Sequence, residues 1–93
     1  MSSQERVKDI ERLVNRSSPG ANDSALRTIG DHVFALRSVV TDRFARGKLA
    51  DIERWSEIYF SHRKHQKHAG GGEQVAVWIL AACRAVADAP PKT

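Results

Sequence analysis

The sequence predicts an all-α protein, a small four-helix bundle that dimerises through its apolar C-terminal helix. Three observations carry this. Apolar residues recur every three or four positions in four separate stretches, the period of one helix face. No stretch alternates apolar and polar residues long enough to read as a strand. Segments rich in Gly, Ser and Pro punctuate the chain between the periodic stretches. A chain of 93 residues is one domain's worth and buries one modest core. We therefore expect a single domain over residues 1–88 and a frayed tail over 89–93.

The first helix opens on Ser2, with Glu5 three residues later, which is the pattern of a capping box. Val7, Ile10, Leu13 and Val14 make one apolar stripe, and the helix ends near Asn15 and Arg16. Ser17, Ser18, Pro19 and Gly20 form a loop. Asn22 or Asp23 then suits the N-cap of a second helix. Leu26, Ile29, Val33, Leu36 and Val40 follow at spacings of 3, 4, 3 and 4, and Phe44 nearly continues the seam. Gly30 costs about 1 kcal/mol against Ala inside a helix. The apolar phase nevertheless runs through it unshifted, so the helix is expected to continue to Gly47, with Arg43 and Arg46 in its last turn.

Leu49, Ile52, Trp55, Ile58 and Tyr59, with His62 on the same side, define the third helix. Its acids (Asp51, Glu53, Glu57) come early and its bases (Arg63, Lys64, Lys67) late, which complements the helix dipole. Arg54 and the later bases are the expected salt-bridge partners of Glu53 and Glu57. Ala69, Gly70, Gly71 and Gly72 stop it. The fourth helix covers residues 73–87, and from Val75 onward only Arg84 is polar.

That fourth helix is the informative element. A helix apolar nearly all round must be covered on nearly all sides. One reading places it centrally, wrapped by the other three, with Ala76, Ala81 and Ala87 facing water. The other, which we favour, makes it an interface with a second copy or another protein. Trp78, Ile79 and Ala82 are then the hydrophobic contact, because large apolar patches and exposed aromatic residues mark interaction sites. Arg63, Lys64, His65 and Lys67 form the charged rim that speeds association with an acidic partner.

The stretch from His62 to His68 invites two other readings. His62, His65 and His68 are spaced three apart and spread around roughly a third of the helix surface, so they converge poorly on one ion. Arg63, Lys64 and Lys67 repel a cation, and a tetrahedral zinc site needs a fourth ligand such as His32. No metal or other cofactor is expected. The same bases can meet phosphates, so nucleic-acid binding is the alternative function. No aromatic residue interleaves with them as a stacking platform.

The net charge of +4 over the whole chain is a weak pointer to acidic partners. Catalytic patterns are absent: no phosphate-binding glycine loop, no His-Glu-x-x-His, no Glu-x-x-His pair. Cys83, the one cysteine, sits among alanines and reads as a buried, inert thiol. His32 reads as a histidine on the surface of helix two or at the edge of the core, not as a catalytic base. The longest apolar run, residues 75–83, is far short of the about 20 residues of a membrane span. The N-terminus lacks an apolar signal region, so a cytoplasmic address is expected. No motif is specific enough to identify a family. The expected function is that of a small non-catalytic regulatory or adaptor protein, acting through protein–protein contact.

Overall fold

The structure is a computed structural model, and residues 2–61 and 70–89 are described. Among them are four α-helices and no strand: α1 (Ser3–Arg16), α2 (Asp23–Val39), α3 (Arg43–Tyr59) and α4 (Gly72–Ala87).

The capping box forms as read. Ser2 Oγ accepts from the Glu5 amide at 3.1 Å, and the Glu5 carboxylate accepts from the Ser2 amide at 3.4 Å. The stripe of α1 delivers Val7, Ile10 and Val14 to the core. Asn22, not Asp23, caps α2, its side-chain oxygen accepting from the Ala25 amide at 3.0 Å. The intervening loop is fastened to the far end of α3. Gly20 takes φ +145°, a conformation that only glycine adopts without strain. Its amide donates to the Tyr59 carbonyl at 2.9 Å, and the Asn22 amide donates to Phe60 at 3.3 Å. The Tyr59 hydroxyl donates to the Ser17 carbonyl at 3.1 Å. Carbonyls left over at the end of α3 thus find partners in the α1–α2 loop.

The second helix does not reach Gly47. It ends at Val39, and α3 begins at Arg43. Asp42 is the reason: its carboxylate accepts from the Ala45 amide at 2.9 Å, starting a new helix where the seam seemed to run on. Val40 still packs into the core as the C-cap of α2. Arg46 reaches back to the Val40 carbonyl at 3.4 Å. Phe44 belongs to a different helix from the seam it appeared to extend, and it is 66% exposed. Gly47 lies inside α3. At the other end α3 stops at Tyr59; His62, expected on its apolar side, lies outside the described residues. Phe60 turns inward, edge-on to the Tyr59 ring at 4.8 Å.

The α2 helix does run through Gly30, and no neighbour packs closely on it: a Cβ there meets nothing within 4 Å. Gly30→Ala is therefore expected to raise stability by about 0.5–1 kcal/mol through helix propensity alone. Thermal unfolding of the variant checks this.

The helices run up and down around one core, in ring order α1, α2, α3, α4. The start of α1, the α2–α3 turn and the end of α4 meet at one end. Helix α4 packs on α3 most extensively and on α1 next, while α2 packs on the other sides of α1 and α3. Among the described residues, then, α4 lies alongside two helices, α1 and α3, while α2 stands diagonally across the shared core and reaches it only through side chains. Val75, Ile79, Cys83 and Val86 fill the core from α4. They meet Ile10, Val33, Leu36, Leu49 and Ile52 from the other helices.

Polar pairs fix the outer edges. Arg37 of α2 donates to the Glu53 carboxylate of α3, a partner across helices rather than the neighbouring Arg54. His32 sits at the core's edge, its Nδ1 3.3 Å from an Arg6 guanidinium nitrogen and its Nε2 3.8 Å from Asp9.

Candidate interaction surface

The open sides of α3 and α4 meet in a groove of about 440 Å³, lined by Phe44, Lys48, Asp51 and Trp55 from α3 and by Trp78, Ala81, Ala82 and Ala85 from α4. Helical spacing explains the α3 side. Phe44, Lys48, Asp51 and Trp55 follow at three- and four-residue steps, one stripe on the α4 side of α3. Its core stripe is a separate set: Ala45, Leu49, Ile52 and Ser56.

Trp55 and Trp78 form the floor at one end. Their rings are 4.4 Å apart between centroids and tilted by 51°. Such pairs contribute about 0.5–1.5 kcal/mol beyond the area they bury. Both stay half-buried, so the pair holds α3 against α4 and still offers ring surface outward. At the other end stands the exposed Phe44 ring, with the Lys48 ammonium 5.1 Å from its centroid. Lys48 also lies 3.6 Å from the Asp51 carboxylate. On α4 the apolar surface continues past Ala81 to Val77, which is 58% exposed. The exposed Phe34 and Val39 of α2 line neither wall of this groove.

The residues singled out from sequence divide accordingly. Trp78 lies on the surface. Ile79 is fully buried and supports the helix from inside, while Ala82, 4% exposed, lies at the bottom of the groove. Ala81 faces water as one reading of helix four expected, while Ala76 and Ala87 are half-buried. Arg63, Lys64, His65 and Lys67 lie outside the described residues, as do His62 and His68. Sequence reasoning missed Phe44, Lys48, Asp51 and Val77 as surface residues of one site. Asp42 was the available signal for Phe44: as the N-cap, two residues before the ring, it starts a new helix at Arg43 and turns the ring outward.

Cys83 is buried against the core, away from the groove. Burial pushes its thiol up from the ordinary 9.0 to about 12, and the negative charge of Glu11 adds to the shift. Burial also raises the Tyr59 phenol. The unfolded chain releases the thiol proton near 9 while the folded protein holds it to about 12. The unfolded state therefore binds fewer protons in that window, and stability is expected to fall as pH rises from about 9 to 12. Denaturant midpoints for wild type and Cys83→Ala check this, the variant losing that part of the slope. A thiol reagent at neutral pH is expected to label Cys83 only on unfolding.

Among the described residues no group of three or more His, Cys, Asp or Glu is placed to hold a metal ion. No described helix is long and apolar enough to cross a membrane. Comparison with protein-family models, with curated proteins and with solved structures finds no match.

Proposed function

We propose that this chain is a small non-catalytic regulatory or adaptor protein that works by protein–protein contact, with the α3–α4 groove as its docking face. One observation carries the reading. The chain has six aromatic residues, and three of them, Phe44, Trp55 and Trp78, gather along this groove. Tyr59 and Phe60 are spent in the core. Aromatic anchors beside small residues, with a few charges at the edge, are what a contact surface needs: apolar area that leaves water on binding, and polar groups that fix orientation. The occupant covers the side of α4 that the monomer leaves open.

Phe44→Glu tests this. The side chain is exposed, and an acid in the first turn of α3 suits the dipole, so the fold is expected to survive. A tagged wild-type chain is expected to retain itself or a partner from a lysate of its source, and the variant, with unchanged circular dichroism, is expected to lose it. An identical set of retained proteins for both would overturn the reading.

A further inference from the structure

Resting on that docking reading, we propose that the occupant of the groove is a second copy of this chain, set antiparallel about a two-fold axis that runs between the two α3 helices, level with the midpoint of residues 49 and 50. The α3 side of the groove is its own complement. Phe44, Lys48, Asp51 and Trp55 are spaced four, three and four apart, so the stripe reads the same from either end. Its chemical order is aromatic, cation, anion, aromatic. In a two-fold contact, if residue i meets residue j of the other copy, j also meets i. An axis at the middle of the stripe sets Phe44 against the partner's Trp55, and Lys48 against the partner's Asp51. Both matches occur twice.

The spacing is that of an a/d seam, which is how two antiparallel helices interlock. Each exposed Phe44 ring arrives at the end of the groove where the Trp55–Trp78 pair lies. The Lys48–Asp51 pair within each copy, 3.6 Å apart, becomes a ring of four charges alternating in sign. On α4, Ala81 and Ala85 line the same groove and leave room for close approach. Charge argues against occupants of one sign. An acidic partner meets Asp51, a basic one meets Lys48, and a phosphate backbone finds one cation beside one anion. An antiparallel copy meets neither repulsion.

Charge reversal tests the arrangement without touching the core. In Lys48→Glu alone, every cross-pair becomes acid against acid; in Asp51→Lys alone, base against base. Each variant is expected to self-associate at least about tenfold more weakly than wild type. Mixed in equal amounts, the two variants restore opposite charges at both cross-pairs and are expected to associate again. The double variant Lys48→Glu/Asp51→Lys is expected to dimerise on its own. Sedimentation equilibrium reads the mass, with the wild type expected at twice 10.3 kDa, and circular dichroism confirms folding. A wild type monomeric at every concentration overturns the dimer; if the Phe44→Glu capture result still holds, the docking face stands with a different occupant. A wild-type dimer whose single variants dimerise equally well, or fail to associate when mixed, overturns this arrangement.

Discussion

Ile79→Ala is expected to lower stability by about 2–5 kcal/mol, the cost of lost apolar burial plus the cavity left behind. Ile79 is completely buried between α1 and α3, in the middle of α4, and the rest of the core is packed around it. The core it belongs to is fully buried, Ile10, Leu49, Ile52 and Cys83 included, so the site has little freedom to collapse. A loss at the lower end corresponds to a melting temperature lower by roughly 8–16 °C for a domain of this size. Any loss of association in this variant follows from loss of fold. A melting temperature within about 2 °C of wild type would show that α4 does not seat Ile79 in the core.

Phe44→Glu is expected to act in the opposite way, weakening association by about 30-fold or more while leaving stability within about 0.5 kcal/mol. The ring is mostly in water in the single chain, so its removal takes little from the core. In the dimer it lies twice against an aromatic pair, and a carboxylate there has to shed its hydration against apolar rings. The contrast between Ile79 and Phe44 separates the inside of α4 from the outside of the α3–α4 face. A Phe44→Glu chain that unfolds would place the ring in the core instead, and one that associates as tightly as wild type would empty the groove of its role.

The two outer helices were legible because their punctuation agreed with their periodicity. Ser2 and Glu5 fixed the start of α1, and the glycines before residue 73 fixed the start of α4. The α2–α3 boundary was harder because local signals conflicted. Phe44 extended the apolar seam and Gly47 looked like a stop, whereas Asp42 was the true start of a helix. A glycine costs a helix only about 1 kcal/mol, which the buried Leu49 and Ile52 beyond it readily offset. The site was half legible for a related reason. A helix apolar all round does not say which side meets which neighbour. Trp78 and Ile79 are adjacent in sequence and about 100° apart on the helix. Only the placement of α1 on one side and α3 on the other sends Ile79 inward and leaves Trp78 at the groove. The expected rim, Arg63 to Lys67, lies outside the described residues, and the charges that the structure does place at the groove are Lys48 and Asp51.

Both tryptophans of the chain lie on the proposed face, which makes their fluorescence a direct report on its coverage. Quenching by acrylamide, followed as the wild-type protein is concentrated from nanomolar to high micromolar, reads whether the two rings become covered. Quenching is expected to fall along the same curve as the mass doubles, with Phe44→Glu keeping the dilute, fully quenched behaviour throughout. A mass that doubles while Trp55 and Trp78 stay equally open to the quencher would contradict it, because the contact would then lie elsewhere on the bundle.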